Sequence, residues 1–190
     1  LVDIKMEVDW DLELGAIVRR TCERKGPAPF FHRIKDSPGF YALGAPIATW
    51  RRLAIVLGLS SEASVGDIVE EWRKRTSGPP VKPEIIEKKD APCKEIVIEG
   101  DQVNLFDLPA PMVHDGDGGR YIGTWHFIVA KDEETGFVNW GMYRQMIFDE
   151  KTMVGPVLPF SDMGRIFYNK YEPKGKPMPF ATVIGPDPLS

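Results

Sequence analysis

Thr124-Trp125-His126-Phe127-Ile128-Val129-Ala130, then the polar segment 131–136, then Phe137-Val138-Asn139-Trp140-Gly141-Met142-Tyr143 is the stretch on which the fold turns. Two runs rich in β-branched and aromatic residues flank a polar, glycine-ended connection. That pattern predicts a hairpin of strands at 124–130 and 137–143. Side chains alternate along a strand, so Asn139, Gly141 and Tyr143 share one face while Trp140, Met142 and Arg144 share the other. Residues 145–148 continue this strand or begin the next.

Working downstream, Met163, Ile166, Phe167 and Tyr171 fall on one face of a predicted helix, with Ser161 or Asp162 as N-cap. Phe180-Ala181-Thr182-Val183-Ile184-Gly185 reads as a buried closing strand. Upstream, Glu95-Ile96-Val97-Ile98 is strand-like. Ser77-Gly78-Pro79-Pro80-Val81-Lys82-Pro83 cannot continue a helix, because proline lacks the N–H and clashes with the preceding turn, and it reads as a linker.

Before that linker the chain reads as α/β. A helix at 12–24 ends at Lys25-Gly26-Pro27, and 29–34 forms a short strand followed by a turn at 36–40. A second helix starts near Thr49 and stops at Gly58. A third runs from Val65 to about Arg75, with Ser64 as N-cap and Asp67 completing a variant capping box. The fold class is therefore α+β, with an N-terminal α/β domain over 1–98 and a β-rich domain over 99–190.

The composition agrees. The chain has 190 residues, 43% of them apolar and 11% aromatic, enough for a core at about 150 residues per domain. Its 18 glycines and 17 prolines exceed the average share of about 12% for these two residues and disfavour long helical bundles. No apolar run approaches the roughly 20 residues of a membrane span, and the acidic start at 1–10 does not read as a signal peptide. A net charge of −4 with scattered basic residues argues against nucleic acid as partner. Two cysteines, Cys22 and Cys93, without metal-binding spacing point to a reducing, cytoplasmic setting, and a disulfide between them stays open.

The sequence holds no P-loop, no G-x-S-x-G and no Cys/His zinc cluster. His126 lies in an apolar strand and reads as a hydrogen-bonded core histidine. His114, beside Asp115 and Asp117, reads as an exposed loop residue. Asp115-Gly116-Asp117-Gly118-Gly119-Arg120 is a flexible turn feeding the long strand, either a mobile loop or a place where backbone and Arg120 meet an anion. In Asn139-Trp140-Gly141-Met142-Tyr143-Arg144, the amide oxygen of Asn139 is a hard ligand suited to Mg²⁺ or Mn²⁺. Arg144 offers a planar fork for a carboxylate or phosphate. The same residues also suit a plain sheet with a surface Asn and an ion-paired Arg.

Asp117-Gly118-Gly119-Arg120-Tyr121-Ile122, followed by Asn139-x-Gly-Met-Tyr-Arg144, resembles the UbiD family of prenylated-FMN-dependent decarboxylases. Ser37-Pro38-Gly39-Phe40, Arg51-Arg52-Leu53-Ala54, Asp107-Leu108-Pro109-x-Pro111 and the closing 179–188 motif extend the resemblance over nearly the whole chain from about Phe30. It implies that 99–190 is the first part of a split β-barrel binding prenylated FMN, with Mn²⁺ or Mg²⁺ and in many members K⁺. Asn139 would hold the metal at the flavin phosphate, and Met142, Tyr143 and Arg144 would border the flavin. Pro156, Val157, Leu158, Ser161 and Asp162 would line it further, with Asp162 a second metal ligand where many relatives carry His.

The resemblance makes Arg144 the catalytic residue, orienting the carboxylate of an aromatic or α,β-unsaturated acid for reversible loss of CO₂. It implies a lyase that assembles as a dimer or hexamer. Family members continue beyond residue 190, where their catalytic Glu residues and C-terminal domain lie. The expectation is therefore a chain completed by such a continuation or by a partner. The alternative is a non-catalytic UbiD-like subunit, and a third reading is a split-barrel oxidoreductase using unmodified FMN.

Overall fold

The computed structural model describes residues 1–79, 81, 84–187 and 189. The predicted linker at 77–83 and the end of the 179–188 motif lie partly outside them. The described chain forms two compact units, one of residues 1–45 with 105–187, the other of 46–104 with Leu189. The architecture is α+β.

In the first unit, β1 (Val2–Val8) runs parallel to β2 (Pro29–Ile34), with α1 (Glu13–Glu23) between them and β3 (Ala42–Leu43) antiparallel to β2. The strand β1 was not expected, because its acidic and basic residues mask the alternation of Val2, Ile4, Met6 and Val8. Ion pairs now explain those charges: Asp3 meets His32 at 2.7 Å, Glu7 meets Arg33 at 3.3 Å and Asp9 meets Lys35 at 2.6 Å. Val8, Leu14, Phe31 and Ile34 form the core beneath. Full burial of a side chain such as Phe31 contributes about 1.5–3 kcal/mol.

In the second unit, α2 (Trp50–Val56) and α3 (Val65–Thr76) pack Ala54, Leu57 and Ile68 together. Thr49 caps α2 by accepting from Arg52 N, and Gly58 at φ 73° ends it. Ser64 and Asp67 form the expected reciprocal capping box on α3. The strand expected at 95–98 is absent. Those residues are irregular between single 3₁₀ turns, and Ile96 is 79% exposed. A β-branched run has the propensity for a strand but here has no neighbour to complete its ladder.

The first unit continues with β4 (His126–Lys131), β5 (Val138–Gly141), β6 (Met146–Ile147), β7 (Met153–Val154), α4 (Asp162–Ile166) and β8 (Phe180–Ile184). The strands form one antiparallel sheet ordered β5-β4-β8 and a small β6-β7 ribbon. The predicted hairpin is present, with Ala130 opposite Asn139 and Ile128 opposite Gly141. Asp132 closes its turn by accepting from Glu134 N, Thr135 N and Thr135 Oγ1. β8 was expected to be buried. Instead it is the sheet's edge, with Phe180 and Ile184 about half exposed. Ser161, not Asp162, caps α4, accepting from Gly164 N at 3.1 Å. A π-helical turn at Phe167–Tyr171 extends α4.

Candidate active site

One face of the β5-β4-β8 sheet carries His126, Ile128 and Ala130 from β4 and Asn139 and Gly141 from β5. Period-two alternation places them together, and all but Gly141 are buried. The chain leaves the sheet after Gly141, and Tyr143 folds back over it. A Cβ at residue 141 would stand 2.6 Å from the Tyr143 ring, so only glycine lets the ring close down there.

This closure brings the Tyr143 hydroxyl to 3.0 Å from Asn139 Nδ2 and 3.1 Å from Met163 N in the first turn of α4. Asn139 and the start of α4, 20 residues apart and more in sequence, thereby become neighbours. Asn139 is 5% exposed, and no described residue donates to its Oδ1. That oxygen is an uncommitted carbonyl on a largely buried side chain, free to accept from a ligand or from water.

Residues 143–145 are fixed mainly through their main chain. His126 Nε2 meets the Tyr143 carbonyl at 2.9 Å. Ile122 N and Gly123 N both donate to the Gln145 carbonyl, and Thr182 Oγ1 bonds Gln145 Oε1. Gly155 packs on the Arg144 carbonyl so closely that a Cβ there would overlap it. The Arg144 side chain, by contrast, is exposed and has no hydrogen-bond or ion-pair partner among the described residues. Met142 is 70% exposed. A rigid backbone thus presents a free guanidinium.

The loop 156–162 is tied to the same region. Val157 O accepts from Tyr168 Oη, and Leu158 O accepts from Ser161 N and Ser161 Oγ. Gly164 lies against the Leu158 carbonyl with no room for a side chain. Because Ser161 does the capping, the Asp162 carboxylate is spared that duty. It is exposed and, among the described residues, pairs only with Arg165, at 3.6 Å. Asp162 also lines a shallow cavity of about 290 Å³ between the β4–β5 turn and α4.

The structure therefore links Asn139 through Tyr143 to Met163 at the start of α4, with Ser161 and Asp162 adjacent in the chain and Pro156, Val157 and Leu158 on the loop leading into it. The structure shows no contact between Asn139 and the Asp162 carboxylate, which pairs with Arg165. It does not bond Arg144 to Asn139. The anion site considered at Arg120 is overturned. Arg120 is 7% exposed, donates to the carbonyls of Ala110 and Leu108 at 2.7 and 2.8 Å, and stacks on Trp10 and Phe106. Burial lowers its basicity. The Gly118-Gly119 pair is occupied by the sulfur of Met146, 3.1 Å from where a Cβ of residue 118 would lie. Among the described residues no three His, Cys, Asp or Glu side chains cluster as a metal site. An amide oxygen and one carboxylate fit part of a hard cation's shell, the remainder being phosphate or water oxygens.

The comparison with known protein families decides the assignment. Residues 1–72 match the N-terminal domain, and residues 84–190 the Rift-related domain, of 3-octaprenyl-4-hydroxybenzoate carboxy-lyase. The chain belongs to the UbiD family. This UbiD-family chain is 39% identical over its full length to pyrrole-2-carboxylic acid decarboxylase of Pseudomonas aeruginosa. It superimposes with TM-score 0.90, at 31% identity over 98% of its length, on the closed form of the vanillic acid decarboxylase ShVdcCD of Sedimentibacter hydroxybenzoicus. HmfF of Pelotomaculum thermopropionicum, solved in complex with prFMN, shares the fold with TM-score 0.81 at 23% identity. The chain spans about 40% of the length of the relatives it matches. No described helix is long and apolar enough to cross a membrane, and both cysteines are free thiols.

Proposed function

We propose that this chain supplies the N-terminal domain (1–98) and the first part of the split-barrel flavin-binding domain (99–190) of a UbiD-type enzyme. The enzyme reversibly decarboxylates an aromatic or α,β-unsaturated acid. The observation that carries this reading is that one short segment holds both an Asn139 oxygen with no donor and, five residues on, an Arg144 guanidinium with an anchored backbone and no partner among the described residues.

Loss of CO₂ from an sp² carbon leaves an electron pair that no side chain stabilises, and bound prenylated FMN supplies that electron sink. The chain's own residues bind and orient. Asn139 Oδ1, with Asp162, would hold Mn²⁺ or Mg²⁺ against the flavin phosphate. Tyr143 keeps the Asn139 amide turned, and Met142 with 156–158 and Ser161 would wall the flavin. K⁺ belongs to the same reading without a residue assigned to it here. Arg144 would grip the substrate carboxylate through two parallel N–H groups, holding the breaking bond in one orientation. The proton donor would come from outside the residues described, in the same protein or a partner, in a cytoplasmic oligomer.

Reconstitution with prenylated FMN and Mn²⁺, followed by CO₂ release and ring-proton exchange on a panel of aryl and acrylic acids, tests this. Turnover supports the enzyme. Flavin retention with neither turnover nor exchange supports a non-catalytic subunit, and oxidation of a nicotinamide donor with plain FMN supports an oxidoreductase.

A further inference from the structure

Of the three histidines, only His126 is buried, at 3% exposure. Its Nε2 faces the Tyr143 carbonyl at 2.9 Å. A carbonyl only accepts, so the ring proton sits on Nε2 and Nδ1 carries a lone pair. That Nδ1 is fully enclosed and has no hydrogen-bond partner. Gly123 lies flat against the ring, where a Cβ would stand 2.6 Å from Cε1 and 2.7 Å from Nε2, so the imidazole has little room to turn.

A side chain serving only as filler has no need of this arrangement. Ile128 and Ala130 fill the same face with apolar atoms, whereas the enclosed Nδ1 forfeits roughly 1–3 kcal/mol. What the imidazole adds is one directed donor. It grips the main chain of Tyr143, whose hydroxyl in turn meets Asn139 Nδ2 and Met163 N. Tyr143 is thereby held at both ends.

We infer that His126 is a positioning residue of this site. Its Nε2–H fixes the Tyr143 backbone and, through the phenol, the amide of Asn139 and the first turn of α4. The inference rests on the reading of Asn139 as a metal-holding residue. No residue types around His126 announce this role in the sequence; it follows from the carbonyl at 143 and the enclosed nitrogen.

Two variants of the holoenzyme test it. His126→Gln keeps an N–H at a similar reach, while His126→Phe keeps the ring volume and removes the donor. Mn²⁺ affinity, read from the EPR signal of free Mn²⁺, is expected to fall roughly ten-fold or more in His126→Phe and to stay near the parent in His126→Gln. Amide exchange at Ile122 and Gly123, whose N–H groups donate to the Gln145 carbonyl of the clamped segment, rises only in His126→Phe. Parent-like exchange in His126→Phe overturns the inference, as does equal Mn²⁺ loss in both variants. If His126→Phe does not fold, the imidazole ¹⁵N spectrum of the parent decides, because a proton on Nδ1 overturns the inference and one on Nε2 supports it. A parent that binds no Mn²⁺ refutes the metal reading of Asn139, and the clamp is then judged on exchange and tautomer alone.

Discussion

The hydroxyl of Tyr143 lies 3.0 Å from Nδ2 of Asn139, four residues earlier, and the same oxygen accepts from Met163 N at 3.1 Å. One phenol oxygen thus joins the last strand of the hairpin to the start of the following helix. Tyr143→Phe removes both bonds while keeping the ring over Gly141. It leaves Met163 N–H without its acceptor, so thermal or urea unfolding is expected to show a loss of about 1–3 kcal/mol. Mn²⁺ content of the purified protein should fall in parallel, since the Asn139 amide is then free to rotate.

Arg144 combines a fixed backbone with an unpartnered, exposed side chain. Arg144→Ala should therefore change stability by less than about 0.5 kcal/mol, the range of surface substitutions that break no contact. Decarboxylation should nonetheless be abolished. Arg144→Lys should recover little of it, because a point charge does not reproduce the two-pronged grip on a carboxylate. Near-parent turnover in Arg144→Ala sinks the assignment.

Arg120 shows the opposite combination, and its prediction is opposite. Arg120→Ala leaves the carbonyls of Ala110 and Leu108 without donors and strips a cation from between Trp10 and Phe106. A loss of roughly 2–4 kcal/mol is expected in chemical denaturation. Flavin affinity of the folded fraction should stay at the parent value; a selective loss of affinity without loss of stability would restore the anion role.

The face of Asn139 was legible because it lies on a predictable strand, where alternation sets it beside Gly141. Alternation does not reach Arg144, because the strand ends at Gly141 and not at the expected residue 143. At Arg120 the sequence left a mobile loop and an anion contact open, because it shows a basic residue beside glycines but not the carbonyls and rings that enclose it. The strand at Val2–Val8 was hidden for a related reason. Its charges mask the strand alternation, and only the fold shows Asp3, Glu7 and Asp9 meeting His32, Arg33 and Lys35 on β2 and the turn after it. The run at 95–98 erred the other way, since propensity is local and a strand needs a neighbour. Tyr143 as a link between Asn139 and α4 depends on a contact 20 residues away, which no periodicity encodes.

His126 gives the chain a pH dependence whose sign follows from its surroundings. Burial lowers its pKa below the ordinary 6.5, and the bond to the Tyr143 carbonyl offsets this only in part. In the folded protein the ring stays neutral as pH falls past 6.5, while in the unfolded chain it takes up a proton. The unfolded state then binds more protons, so stability rises with pH. The contribution is intact above about pH 6.5 and is lost as pH drops from there toward the lowered folded value, by at most about 1.4 kcal/mol per pH unit. Denaturant titrations of the parent and His126→Gln at pH 7.5, 6.5 and 5.5 isolate it. The gap between the two proteins should shift in favour of His126→Gln as pH falls. A gap that is constant across the three pH values would show that His126 keeps its ordinary pKa in the fold and that its Nδ1 accepts a proton without penalty.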